Sequence, residues 1–390
     1  MSLKGLFSIL GEHPEYRRHL EAVADPEKTP ELVVRQGAQP CYVGGLWSHR
    51  KVPVLVLTPR PEDARRLHDQ LLTYLGDREP VYLLPEPEVL PYERLAVDAN
   101  TVNQRLAALA ALASAPTAGG DAGAPPPLVV ASIAGALPKT LPPVILTGAY
   151  AGAEAGGTLR VGQRVRLNRL LTEWVDLGYR NEPVVEAPGS FSRRGGIIDV
   201  YPPQADLPFR IELLDDQVDT IRQFDPFSQR SVESVDRLNI VPAREQLPNL
   251  AHRERIEQLI AGMDLTHCHR DIRERVEEEL GTLFTTPNLE TLSFYNGLVN
   301  EASLLDYLSA PGLIVLDRPS QIEAAAQEME DRFAQMRANR EERGELPRHF
   351  PAPYLSWAEF AGQLRRRPQV HLQSWVREDG DPIFRPAPPY

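Results

Sequence analysis

A chain of 390 residues with net charge -12, 42% hydrophobic and 25% charged residues, has room for two or three domains and the balance of a soluble globular protein. No window approaches the roughly 18 apolar residues of a membrane span, and the opening "MSLKGLFSILGEHPEYRRHL" is too short and charged for a secretory signal. The acidic balance excludes a surface that grips nucleic acid throughout, and two distant cysteines, Cys41 and Cys268, make no disulfide framework and fit a reducing cytoplasm.

In chain order, "VPVLVLTP" (52–59) reads as a buried strand. "RPEDARRLHDQLLTYLG" reads as a helix framed by Pro61, by Glu62 and Asp63 in its first turn, and by Gly76 at its end. "EPVYLLP" (79–85) is a second strand, and "NTVNQRLAALAALASA" a second helix with Asn100 as its expected cap. "APTAGGDAGAPPP" (115–127) is a low-complexity surface loop, and "LVVASIAGAL" adds a strand and a turn. Alternating strands and helices predict a mainly parallel sheet. From about residue 139 the texture changes to short β segments: "TLRVGQRV", "GGIIDVYPP", a pair of strands turning at Asp215-Asp216, and "VDRLNIVPA". The helix "LNRLLTEWVDLGY" sits among them. After Glu245 helices dominate until the buried strand "PGLIVLDRP". The Glu277–Glu279 run reads as a solvated helix face, and Ser320 with Glu323 has capping-box spacing at the head of a long helix. "REDGDPIFRPAPPY" (377–390) reads as a frayed tail. The fold expected is α/β: a parallel layer at 1–138, an inserted small α+β domain with a curved antiparallel sheet at 139–244, and a return to the layer at 245–376.

Such layers often bind nucleotides, yet G-x-x-x-x-G-K-[ST] does not occur. Gly44-Gly45, where a phosphate cradle would sit, is followed by "LWSHRKVP" before the next strand, too few residues for the helix that a cradle needs, so a tight turn is expected there. Asp317 ends the strand "LIVLD" as a magnesium-holding acid would, but Arg318 stands where a glutamate would polarise water, so a turn or cap role is expected. "THCHRD" lacks the spacing of a zinc site. What remains is residues 159–210, with eight arginines, no lysine and six acids, and within it "GSFSRRGGIIDVYPP" (189–203). Gly195 and Gly196 form a turn that displays Phe191, Arg193 and Arg194 on a rigid base. Arginines beside an aromatic suit a protein–protein hot spot or a stack with nucleic acid; on charge alone the stretch also reads as a solvated Arg-rich face.

"FSRRGGIIDVYPP" followed by "FRIELLDDQVDTIRQFDPFSQRS" resembles the second domain of the excision-repair protein UvrB, and resembles still more the matching domain of the bacterial transcription-repair coupling factor family, Mfd. "LLPEPEVLPYERLAVDANTVNQRLAAL" and "VGQRVRLNRLLTEWVDLGYRNEPVVEAPGSF" fall in the same order as in that family, so the resemblance covers roughly residues 30–375 as domains 1a, 2 and 1b. It implies a degenerate helicase-like (RecA-like) layer. UvrB keeps a phosphate loop, an Asp-Glu motif and a long aromatic hairpin that clamps damaged DNA; here Gly44, Gly45, Asp317 and Arg318 mark a lapsed nucleotide site and the hairpin has no counterpart. The resemblance implies an adaptor without catalysis that recruits UvrA through domain 2, with Arg180, Phe191, Arg193, Arg194 and Arg210 at the contact. Ser192 stands where UvrB has another arginine, and Arg193, as its neighbour on a strand, should face the other side. ATP, magnesium, RNA polymerase and DNA are implied only for family regions outside this chain, and no membrane. The end at "RPAPPY" reads as a cut within a longer protein or a truncated product. The competing readings are a UvrB-class ATPase and a DNA-binding module.

Overall fold

The computed structural model describes residues 3–25, 28–115, 125–149, 157–285 and 290–373. The low-complexity stretch at 116–124 and the tail at 377–390 lie outside them. Strands β1 (Glu31–Val33), β2 (Val54–Thr58), β3 (Val81–Leu84) and β4 (Leu128–Ser132) alternate with helices. These are α1 (Gly5–Glu12), α2 (Pro14–Ala24), α3 (Gln39–Arg50), α4 (Pro61–Leu75) and α5 (Ala99–Ala113). Two single turns, α6 (Ile133–Ala136) and α7 (Pro143–Leu146), follow. Then come β5 (Thr158–Arg160), α8 (Leu167–Asp176), β6 (Arg180–Asn181), β7 (Ser190–Arg194), β8 (Ile197–Tyr201), β9 (Phe209–Leu214), β10 (Gln217–Phe224), β11 (Ser231–Ser234) and β12 (Arg237–Asn239). The chain closes with α9 (Arg253–Ala261), α10 (Arg270–Gly281), the single turn α11 (Asn296–Val299), β13 (Leu313–Asp317), α12 (Pro319–Glu342), α13 (Trp357–Leu364) and β14 (Gln369–Gln373).

A parallel sheet takes the order β1-β14-β13-β2-β4-β3, so strands from before and after the β-rich region share one layer. All five residues of β2, of β4 and of β13 are buried, as in a sheet covered on both faces. Alternation divides them: Val54, Val56, Val130 and Val315 pack under α1–α4, while Leu55, Leu57, Val129 and Ile314 face the opposite core. That second core runs on without a break through α5 and α8 to Trp174, Ile198, Val200 and Ile211 of a six-stranded sheet ordered β11-β10-β9-β8-β7-β6. Its pairs are antiparallel except β6–β7, and two register shifts in β10 bend it. A third cluster around Tyr92, Ile256, Phe294, Leu346 and Phe350 holds α9 to the segment before β13. Among the described residues no helix is long and apolar enough to cross a membrane.

Several local expectations need correction. Gly44 and Gly45 are not a turn: they sit inside α3, where a Cβ on Gly44 would lie 2.8 Å from the Phe7 ring and one on Gly45 2.9 Å from Leu10. They are small because α1 crosses there. The cap of α5 is Asp98, which accepts from the Thr101 amide at 3.0 Å, not Asn100, which is already helical. The Ser320–Glu323 box does not form; Arg318 precedes Pro319 at the helix start, and Glu323 instead accepts from the Trp357 indole. Glu279 of the acidic run turns inward to accept from Tyr295 Oη at 2.5 Å and to pair with Arg94.

Candidate functional site

Alternate residues of an extended strand point to opposite faces, and directly paired residues share one. On β7 this sends Ser190, Ser192 and Arg194 one way, Phe191 and Arg193 the other. The register pairs Arg180 with Ser190, Ser192 with Asp199, and Asp199 with Arg210. Arg180, Arg194 and Arg210 therefore belong to one face of the sheet although they come from three strands. Asp199 is their hub. Only 3% exposed, it accepts from Arg210 Nε at 2.7 Å and Nη2 at 2.8 Å, with Arg194 Nη2 at 3.8 Å. The fork geometry explains arginine at position 210, since a lysine could not bond both oxygens in plane. Arg210 also lies over the Phe224 ring at 4.6 Å, and its bonds to Asp199 raise its pKa against the cost of burial.

The three arginines differ in what they leave for a partner. Arg210 is spent within the sheet, with 22% of its side chain exposed, whereas Arg194 keeps 56% and Arg180 is exposed. Arg244 lies close to Arg180; burial first, and the Arg180 charge second, lower its pKa. The expectation that Phe191 is displayed is overturned. Its parity sends it into the core at 2% exposure, edge-on to Trp174 at 5.7 Å. Arg193 shares that parity, opposite Ile198, and folds back to donate to the Gly195 carbonyl at 3.2 Å. Gly195, at φ 64°, makes the turn, and a Cβ on Gly196 would come within 3.1 Å of the Leu213 carbonyl. Ser192, at 3% exposure, donates to the Pro183 carbonyl at 3.0 Å.

The residues assigned to the lapsed nucleotide site separate. Gly44 and Gly45 lie more than a turn along α3 from its start, but Gln39 at that start donates to Asp317 Oδ1 at 2.8 Å. Arg318, in the left-handed region at φ 59°, bridges Asp317 Oδ2 at 2.8 Å and Asp63 Oδ2 at 2.6 Å. Arg66 adds a bond to Asp63 Oδ1 at 2.5 Å. A tethered guanidinium thus stands between the two carboxylates at the end of β13, where a phosphate-binding layer would place a divalent cation. The residues present do not fit magnesium: each of the four carboxylate oxygens already accepts from a nitrogen donor, and the Arg318 guanidinium puts a positive charge where the cation would sit. Asp63, Gln39 and Arg244 were not legible as site residues, because each is defined by a partner remote in sequence; Asp199 meets Arg210 only 11 residues on, but through the strand pairing.

A family model described as the UvrB interaction domain matches residues 158–245, the stretch that carries β5 to β12. The chain is similar to a transcription-repair-coupling factor of Bacillus subtilis, 30% identical over 321 residues, covering 79% of this chain and 26% of that protein. It is also 34% identical over 212 residues to one of Myxococcus xanthus (53% and 16%), and 34% over 261 residues to one of Mycobacterium tuberculosis (66% and 20%). The chain spans about a quarter or less of the length of these curated relatives. The chain matches the UvrB interaction domain over residues 158–245 and, over most of its length, is similar to transcription-repair-coupling factors.

Proposed function

We propose that the chain is a recruitment module of nucleotide-excision repair that docks UvrA through the arginine face of its antiparallel sheet and performs no catalysis itself. The observation that carries this reading is the convergence of Arg180, Arg194 and Arg210 on one face of the region matched by the UvrB interaction domain. Arg194 and Arg180 supply the outward charge, and Asp199 with Arg210 fixes the backbone from which Arg194 projects. Their partner is an acidic surface, for which guanidinium forks are suited. The absence of catalysis is supported by Arg318 standing between Asp63 and Asp317. By the same reading, ATP turnover, RNA polymerase contact and DNA translocation belong to other regions of a longer protein.

Titration calorimetry of the chain with purified UvrA tests this. The parent chain binds, and Arg180→Ala/Arg194→Ala binds about 10- to 100-fold more weakly, the scale of roughly 1.5–3 kcal/mol for hydrogen bonds to charged groups. Both residues are exposed, so the variant keeps the parent's thermal transition. Unchanged affinity would refute the assignment. Arg210→Ala is the poorer probe, since it strands Asp199.

A further inference from the structure

Phe227 lies in the loop joining β10 to β11 and is 95% exposed, the most exposed of the large hydrophobic side chains among the described residues. A bare phenylalanine ring in water is unfavourable, and its surroundings are not those of a slack loop. The Asp225 carboxylate accepts from the amides of Phe227 at 3.0 Å and Ser228 at 2.7 Å, which holds its pKa below the ordinary carboxylate value. Gln229, at φ 59°, donates from Nε2 to the Pro226 carbonyl at 2.8 Å. Its Oε1 accepts from Arg210 Nη2 at 3.0 Å. The loop is therefore tied to the same guanidinium that anchors Asp199, and through Asp199 to Arg194. The ring stands on a loop whose backbone conformation is already set and which abuts Arg210, at the end of the strands opposite the Arg194 turn.

We propose that Phe227 is an aromatic anchor at the Arg210 end of this docking face, received by its partner in an apolar notch at that end of the acidic surface that meets the arginines. The inference rests on the reading above and adds to it the shape of the partner's surface. Aromatic rings beside arginines are the combination in which binding energy concentrates, because a ring has few rotors to freeze and removes a large apolar area from water. The loop's own hydrogen bonds lower the ordering cost further. Charge steers the arginines to an acidic surface, and the ring then selects among acidic surfaces the one that offers a notch.

Calorimetry against purified UvrA with the parent chain, Phe227→Ala, Phe227→Leu and Arg194→Ala decides it. Phe227→Ala weakens binding at least about tenfold, Phe227→Leu restores most of the loss, and the salt dependence of affinity stays that of the parent because no charge is removed. If the parent binds, Arg194→Ala weakens it and Phe227→Ala stays within about twofold of the parent, the ring is no anchor and the arginine reading stands alone. If the parent does not bind UvrA, the reading fails and this inference falls with it.

Discussion

Glu245→Ala is expected to destabilise the chain by about 3–5 kcal/mol, the cost of leaving one partner of a buried ion pair alone. Arg105 of α5 is 1% exposed and its guanidinium is bonded on every side. Nε and Nη2 donate to the two Glu245 oxygens at 2.7 and 3.2 Å, and Nη1 donates to the carbonyls of Pro85 and Gly135 at 2.6 and 3.2 Å. The Glu245 backbone carbonyl accepts from Asn300 Nδ2 at 2.8 Å. This one cluster joins the exit of β3, the turn after β4 and the segment by which the chain leaves the antiparallel sheet. Removing the carboxylate leaves a desolvated cation with only carbonyl dipoles; urea unfolding followed by circular dichroism reads the loss. Replacing both partners, Arg105→Met with Glu245→Leu, recovers part of it, because the unpaired charge is removed although the Pro85 and Gly135 carbonyls lose their donor. A single variant that unfolds with the parent's midpoint would show that the pair is idle.

That pair was illegible beforehand, since its members are 140 residues apart and nothing local to either signals the other. What the sequence did expose was local. The β-branched and leucine runs of β2, β4 and β13 are buried on both faces and so carry no polar alternation to confuse them. Pro61, Glu62, Asp63 and Gly76 frame α4 as read. The β9–β10 hairpin turns at Asp215, at φ 57°, as the Asp-Asp pair predicted. The failures share a cause. Gly44-Gly45 looked like a turn because two glycines oppose a helix in isolation, and only the crossing of α1 makes them necessary. Phe191 looked displayed because it sits beside arginines in the chain, whereas a strand sends neighbours to opposite faces. The arginine face itself was legible in part: the motif contains Arg194, but Asp199 as its hub required the register.

Arg318→Ala is expected to cost about 3 kcal/mol, at the low end for a broken buried pair because the Arg318 side chain remains 17% exposed. The variant leaves Asp317, 2% exposed, with Gln39 as its remaining donor, and leaves Asp63 to Arg66. It does not thereby gain a nucleotide site: the start of α3 has Gln39-Pro40 in place of a glycine cradle, so calorimetry with ATP and magnesium shows no binding by the parent or the variant. Saturable ATP binding by the parent would overturn the non-catalytic reading. The pH dependence gives a second readout. Burial pushes the Asp63 carboxyl up, but hydrogen bonds from Arg318 and then Arg66 outweigh it and hold the pKa below its ordinary 3.8. A carboxylate depressed in the folded state stabilises above its unfolded pKa, and that contribution disappears as pH falls through the folded value. The parent therefore loses this stability below about pH 4, whereas Arg318→Ala, having lost most of it already at neutral pH, shows a flatter acid limb. Parallel acid limbs in parent and variant would mean that the guanidinium does not hold Asp63, and that the Asp63–Arg318–Asp317 cluster owes its stability to packing instead.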